Sequence, residues 1–147
     1  MSANTARASI AVRVGTDLCS VDTVAQSVDA FGDRYLDRIY TTRERAYADA
    51  AGDERRRCEH LAARFAAKEA VVKVLAPADA RPEWRSIEVV RHPSGACGIE
   101  VTGEAARMAA ELGIEEFSVS LSHEADLAAA TVVAIVGATE RPTGVAR

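Results

Sequence analysis

The chain has 147 residues, of which 48% are hydrophobic and 27% are charged, a balance that is ordinary for a folded globular protein. Its formal net charge of -4 argues against a nucleic-acid partner, because nucleic-acid-binding domains are usually basic. The three cysteines, Cys19, Cys58 and Cys97, are odd in number and widely spaced, which favours a reducing cytoplasm over a disulfide framework or a zinc site. The longest apolar run, residues 127–138, is too short to cross a bilayer, so we expect no membrane partner.

The length of the chain fits one folded domain, which we place at residues 10–138. Residues 1–9 contain no apolar core, and residues 139–147 include Pro142 and Gly144. We therefore expect a flexible N-terminus before the domain and a flexible C-terminal tail after it.

A first strand is predicted where Ile10, Val12 and Val14 alternate with other residues. We expect Gly15 to mark the point where the backbone leaves this strand, which places Asp17 at the strand end. An acidic residue at such a position is often a turn or cap residue, and Asp17 taken alone fits that role.

Residues 21–40 have a helical pattern that a glycine interrupts near its middle. On a helix that begins near Phe31, this residue shares one face with Arg34, Tyr35 and Arg38. The face is both aromatic and basic. The next four residues, 41–44, have the pattern Thr-x-x-Glu, which predicts a capping box at the start of another helix.

A long helix is predicted at residues 60–75, which are rich in alanine, leucine, lysine and glutamate and contain no glycine or proline. Glu69 and Lys73 stand one turn apart on this helix, beside a stripe of small side chains formed by Ala62, Ala66 and Ala70. The spacing of Glu69 and Lys73 fits an ordinary surface ion pair, worth about 0.3 to 0.5 kcal/mol. It equally leaves room for a ligand over the alanine stripe.

The second half of the chain has mainly strand patterns. We predict a hairpin from residues 85–91 and 97–101, a helix at 104–112 that Thr102 caps, a strand at 117–123, and a last strand at 127–138 that is buried on both faces. With the central helix, this order predicts an α+β fold in which a mostly antiparallel sheet packs on a long helix.

Three segments, taken together, resemble the holo-acyl-carrier-protein synthase family, the short type of 4'-phosphopantetheinyl transferase. The first is Gly15-Thr16-Asp17, and the second is the run Phe-Ala-Ala-Lys-Glu-Ala-x-x-Lys from Phe65 to Lys73. The third is Ser-Leu-Ser-His, which ends at His123. None of these is specific alone, but their order and spacing match the family over nearly the whole chain.

The resemblance implies transfer of the 4'-phosphopantetheine arm of coenzyme A to a serine of an apo carrier protein, with release of adenosine 3',5'-bisphosphate. Asp17 and Glu69 would bind Mg2+, which accepts one or two carboxylates together with phosphates and waters. Lys73 would neutralise charge on the leaving phosphate. Glu69 or a metal-bound water would take the serine proton, and the sequence leaves both open.

Coenzyme A would meet Arg64, Lys68, Lys73, Ser122 and His123, according to the same resemblance. His123 also falls in phase with apolar residues of its strand, so a hydrogen-bonded core histidine is the other interpretation. Arg64 and Lys68 lie one turn apart, and they could pair with acids instead of phosphates. The remaining histidines, at positions 60 and 92, are expected to be surface residues.

The resemblance also implies that Phe31, Arg34 and Arg38 receive an acidic carrier protein, of fatty-acid or polyketide type, and that the protein is a homotrimer with active sites between subunits. Three family features are altered here. Thr23 replaces an arginine of the first helix, the glycine-rich loop after the central helix is missing, and the Gly-Lys-Pro turn is Gly-Ala-Cys at residues 95–97. A non-catalytic module that binds coenzyme A or a carrier protein is therefore an alternative function, and a structural or assembly protein is a further one.

Overall fold

The computed structural model describes residues 10–137. The expected flexible N-terminus at 1–9, the expected tail at 139–147 and the last residue of the predicted domain, 138, lie outside the described residues. None of the helices within residues 10–137 combines the length and the apolar character that crossing a membrane requires.

The fold is α+β, as predicted, with one three-stranded sheet, one hairpin and a long central helix. The sheet has the strand order β1-β5-β4, the hairpin pairs β2 with β3, and all the pairs are antiparallel. The elements in chain order are β1 (Ala11–Ser20), α1 (Val21–Phe31), α2 (Asp33–Ile39), α3 (Thr42–Asp49), α4 (Glu54–Leu75), a 3-10 turn (Trp84–Ser86), β2 (Ile87–Arg91), β3 (Cys97–Val101), α5 (Gly103–Glu111), β4 (Ile114–Glu124) and β5 (Leu127–Val136).

Helix α4 is the element on which the sheet packs, and its contact face is made largely of alanine. Small side chains let a helix axis approach a sheet closely, because little volume separates the two backbones. The helix begins six residues earlier than predicted, at Glu54, because the Asp53 side chain accepts a hydrogen bond from the backbone amide of Arg56 at 2.9 Å and caps the first turn. It ends at Leu75, and the next residue, Ala76, has a left-handed φ of 43°.

The prediction that the backbone leaves strand β1 at Gly15 is wrong. The strand continues through Asp17 to Ser20, paired throughout with β5. Gly15 is required for a different reason: a Cβ atom there would collide with the carbonyl oxygen of Ala70 on α4 and would lie 3.2 Å from the Cβ of Lys73. The glycine therefore lets β1 and α4 touch through their backbones.

The helices before α4 begin and end close to the predicted points. Gly32, with a φ of 53°, separates α1 from α2, so Phe31 is the last residue of α1 and not the first of the next helix. Thr41 and Glu44 form the predicted capping box at the start of α3. Thr102 stands at the N-cap position of α5, but its side chain makes no capping hydrogen bond.

The three-stranded sheet is buried on only one face, although β5 was predicted to be buried on both. Alternate residues of β5 face α4 and are buried, whereas the residues between them are partly exposed because nothing in the described chain covers that face. On the same outer face, β1 exposes the large apolar side chains Val12, Val14 and Leu18. The periodicity of β1 therefore predicts the strand but not which face packs in the core.

Candidate active site

Asp17 and Lys73 meet where β1 crosses α4. The Lys73 Nζ donates to the Asp17 Oδ1 at 2.9 Å and to the carbonyl oxygen of Thr16 at 2.7 Å. Half of the Lys73 side chain is exposed (51%), compared with 20% for Asp17. The contact depends on Gly15, because this residue allows the strand to approach the helix closely enough for a lysine to span the gap. The first motif and the second motif are thus joined by one ion pair.

Glu69 lies one helical turn before Lys73 on α4, and its side chain is 18% exposed. Both of its carboxylate oxygens accept from the Nη1 of Arg81, at 3.2 and 3.3 Å. Arg81 is not among the predicted site residues, because an isolated arginine in an irregular loop belongs to no periodic pattern. The structure places it directly on a predicted catalytic carboxylate.

The carboxylates of Asp17 and Glu69 act on a common neighbour, the Cys19 thiol. Burial raises the pKa of Cys19 to about 11, and the negative charges of Asp17, Asp126 and Glu69 add to this rise.

No cluster of three or more potential protein ligands for a metal occurs in residues 10–137. Two carboxylates without a full protein cage fit Mg2+, which takes its remaining ligands from phosphates and water.

Lys68 does not lie on a ligand-binding surface, and its prediction as a coenzyme A contact is wrong. Its side chain is fully buried (0% exposed), and its Nζ is 2.8 Å from the Oε2 of Glu44, which is also fully buried. The ammonium donates as well to the carbonyl oxygens of Trp84, at 3.0 Å, and Ile87. Burial lowers the pKa of Lys68, while the charge of Glu44 opposes that change. The lysine is a core residue because its position on α4 faces α3 and β2.

A cavity of about 510 Å³ brings together Arg64, Ser122 and His123, three of the residues predicted to contact coenzyme A. The Arg64 guanidinium is buried and lies over the Tyr47 ring, 4.1 Å from its centroid. Its Nη1 donates to the His60 carbonyl oxygen at 3.1 Å, but its Nε has no hydrogen-bond partner among the described residues. A buried N–H group without a partner is unfavourable until an acceptor such as a phosphate oxygen arrives.

His60 belongs to this cavity, although it was expected to be an ordinary surface residue. Its ring packs edge-on against Tyr47, with centroids 4.8 Å apart. Burial lowers the pKa of His60, and the positive charges of Arg64 and Arg91 lower it further. Its sequence position, one turn before Arg64, was the available signal.

A separate cavity of about 370 Å³ contains the predicted carrier-binding face. It is lined by Phe31, Arg34, Tyr35, Arg38, Ile39, Phe65 and Trp84. Phe65 packs against Trp84, with ring centroids 5.3 Å apart, and forms an aromatic wall of the cavity. Phe65 lies one turn before Glu69 on α4, which is about 6 Å along the helix axis at 1.5 Å per residue. The cavity with Arg64 shares no lining residue with the cavity at Phe65.

The comparison with known proteins shows which family the chain belongs to. The sequence model of the 4'-phosphopantetheinyl transferase superfamily matches residues 13–132. The chain belongs to the holo-acyl-carrier-protein synthase family of this superfamily. The family inferred from the motifs at Asp17, Glu69 and His123 is therefore confirmed, and the protein is an enzyme of this family.

The relatives of this synthase-family chain match it over most of their length. The holo-[acyl-carrier-protein] synthase of Desulforudis audaxviator is 40% identical over 122 residues, which are 83% of this chain and 91% of the relative. That of Chloroflexus aurantiacus is 42% identical over 134 aligned positions, and the match covers 84% of this chain and 97% of the relative. Among solved structures, the ACPS–CoA complex of Chronobacterium ammoniagenes has a TM-score of 0.73 and 30% identity, and the match covers 86% of this chain and 98% of that one.

Proposed function

We propose that the protein transfers the 4'-phosphopantetheine arm of coenzyme A to a serine hydroxyl of an apo acyl or polyketide carrier protein and releases adenosine 3',5'-bisphosphate. The observation that carries this proposal is the convergence of Asp17, Lys73 and Glu69 where β1 crosses α4. Such a transfer needs positioning and charge stabilisation more than covalent help from the protein. A carboxylate pair beside a half-exposed lysine supplies both.

Asp17 and Glu69 would hold Mg2+, which would neutralise charge on the pyrophosphate of coenzyme A. Lys73 projects from the next turn of α4 and is exposed enough to reach a phosphate, so its ammonium can stabilise charge that develops on the leaving group. Glu69 is the carboxylate nearest along α4 to the aromatic wall at Phe65, which suits it to accept the proton of the incoming serine.

The coenzyme would use the cavity that contains Arg64, Ser122 and His123. The Arg64 Nε has no partner among the described residues, and a guanidinium with a free donor suits a phosphate group. His60 and Arg91 add a polar and a charged side chain to the same cavity. Lys68 has no part in this site because its charge is enclosed by the core.

The carrier protein would dock on the cavity lined by Phe31, Arg34 and Arg38. Most arginines of the neighbouring helices are held in ion pairs, such as Arg45 with two acids of α2 and Arg57 with two further acids. Among the described residues, Arg34 and Arg38 have no carboxylate within ion-pair distance and are exposed. Unpaired cations around an apolar anchor suit an acidic partner.

A homotrimer, with active sites between neighbouring subunits, would join the two parts of the site. On one chain, the cavity with Arg64 shares no residue with the group around Glu69. The outer face of β1 exposes Val12, Val14 and Leu18, an apolar surface of the kind that subunit contacts cover. Light scattering tests this assembly, and a mass near 15.6 kDa, that of a single chain, would contradict it.

We place the enzyme in the cytoplasm, where its three cysteines, which are free, would stay reduced.

The test of the activity is a mass spectrum of an apo carrier protein incubated with the enzyme, coenzyme A and Mg2+. We expect the carrier to gain one phosphopantetheine arm, and we expect chelator, Asp17→Ala or Glu69→Ala to prevent the gain while circular dichroism stays unchanged. Asp79→Ala, which removes an exposed carboxylate in the loop after α4, is the matched control and should leave transfer intact. Coenzyme A binding without transfer by the wild type would instead favour the non-catalytic binding module.

A further inference from the structure

Each of the two proposed metal ligands is already held by a cation of the same chain. Lys73 binds the carboxylate of Asp17, and Arg81 binds both oxygens of Glu69. The two cations differ in origin, since Lys73 is part of α4 and Arg81 comes from the loop that follows the helix. The Arg81 side chain is 62% exposed, whereas that of Glu69 is 18% exposed.

The backbone next to Arg81 is fastened to α4, so the position of this arginine is built into the fold. Pro82, the next residue, is buried. Two residues further, the carbonyl oxygen of Trp84 accepts from the Nζ of Lys68 at 3.0 Å, and Lys68 immediately precedes Glu69 on the helix. The Arg81 backbone therefore has a fixed position beside the Glu69 carboxylate, while its exposed side chain has room to adopt another rotamer.

We propose that Arg81 binds the Glu69 carboxylate in the unliganded protein. When a divalent cation takes its place on Glu69, the Arg81 side chain moves and binds a phosphate of coenzyme A instead. This inference rests on the proposed function, because it needs the metal and the coenzyme at this site. Arg81 positions the metal ligand in one state and binds the substrate in the other.

Competition for the Glu69 oxygens drives the exchange. A carboxylate has lone pairs for more than one partner, but the Arg81 guanidinium lies against both oxygens and its positive charge repels a divalent cation at the same carboxylate, so binding of the metal favours displacement of Arg81. The displaced guanidinium remains tethered beside Glu69 and therefore beside the phosphates that the metal binds. Its planar set of N–H donors suits phosphate as well as carboxylate, which a lysine ammonium would match less closely.

The exchange predicts that Arg81→Gln shifts two affinities in opposite directions. The free protein should bind Mn2+, used alone as the probe and followed by electron paramagnetic resonance, about two- to fivefold more tightly, the range expected for removing a competing exposed ion pair. At saturating Mn2+, calorimetry should show coenzyme A binding about tenfold more weakly, because charge-assisted hydrogen bonds to phosphate are lost. Arg81→Lys, which keeps the charge, should lie between wild type and Arg81→Gln in both measurements.

Arg85→Gln is the matched control for overall charge, since Arg85 is exposed in the 3-10 turn and the structure gives it no ion pair among the described residues. It should leave both affinities unchanged. The inference is overturned if Arg81→Gln leaves Mn2+ affinity unchanged or weakens it, or if it changes both affinities only as Arg85→Gln does.

Glu69→Gln separates a failure of this inference from a failure of the proposed function. If Glu69→Gln weakens Mn2+ binding while Arg81→Gln equals wild type, the metal site stands and the role of Arg81 is rejected. If wild type and Glu69→Gln bind Mn2+ equally poorly, with or without coenzyme A, the metal site and the inference are both rejected.

Discussion

Lys68 and Lys73 are two lysines of the same motif, five residues apart on α4, and each forms an ion pair of nearly equal length. Lys68 is 2.8 Å from Glu44, and Lys73 is 2.9 Å from Asp17. Their surroundings are opposite, since both members of the first pair are fully buried while half of the Lys73 side chain is exposed. The length of an ion pair therefore says little about what a charged residue does.

Burial decides what each lysine can do. When a buried ion pair loses one partner, an uncompensated charge remains in the core, so removing that partner lowers the stability of the folded protein. An exposed pair contributes little to stability, but its ammonium remains able to reach a phosphate. We infer that Lys68 stabilises the junction of α3, α4 and β2, and that Lys73 acts in the reaction.

The largest expected effect is on stability, from Lys68→Ala. We expect the free energy of unfolding to fall by about 3 to 5 kcal/mol, because Glu44 would stay buried without its counter-charge. Urea unfolding followed by circular dichroism measures the change. Lys73→Ala is the internal control and should change the stability by less than about 1 kcal/mol. Equal losses of stability in the two variants would remove the distinction between the lysines.

Lys73→Ala should instead act on the rate. We expect kcat for transfer to fall by about 100- to 1,000-fold, the range for removing one group that stabilises transition-state charge, with a much smaller change in the Kd for coenzyme A. Steady-state transfer assays and calorimetry give the two quantities. A variant with normal kcat and weakened binding would make Lys73 a binding residue only.

Gly15→Ala tests whether close contact between β1 and α4 assembles the site. The added Cβ would collide with the Ala70 carbonyl oxygen, so we expect a loss of about 1 to 3 kcal/mol in stability as the strand shifts away. Transfer should fall even at temperatures where the variant is folded, because Asp17 would move away from Lys73. A folded variant with full activity would show that the site tolerates a displaced strand.

The smallest expected effect concerns the protonation of His60 in the cavity with Arg64. Burial and two arginines lower its pKa below the usual 6.5, so the neutral ring is favoured in the folded state. The contribution of the neutral His60 ring to the free energy of unfolding is therefore fully present above pH 6.5. It is lost as the pH falls through the lowered pKa, because the folded protein then has to accept the proton at an unfavourable site. Coenzyme A phosphate in the cavity should raise the pKa and cause proton uptake.

Nuclear magnetic resonance of the imidazole signals measures the His60 pKa, and His60→Gln assigns its resonance. A His60 signal that titrates at 6.5 or above in the free protein would contradict the role of burial. A pKa that coenzyme A does not change would place the phosphates away from this cavity.

The local patterns of the chain determined most of the elements and the family. The break at Gly32, the capping box at Thr41 and the hairpin of β2 and β3 depend on neighbouring residues, so the sequence predicted them. The central helix was predicted too, but its start was placed six residues late, although Asp53 is a preferred N-cap residue and residues 54–57 are strong helix formers. The motifs around Asp17 and Glu69 also have fixed spacing, which made the family recognisable.

Only the tertiary structure decided which charged residues are available for chemistry. Arg64, Lys68 and Lys73 are all predicted to contact coenzyme A, yet the structure buries Lys68 with Glu44 and leaves the Arg64 Nε without a partner among the described residues. Arg81 reaches Glu69 through a loop that has no periodicity. Burial and ion pairing depend on contacts between residues far apart in the chain, and a local pattern contains no information on those contacts.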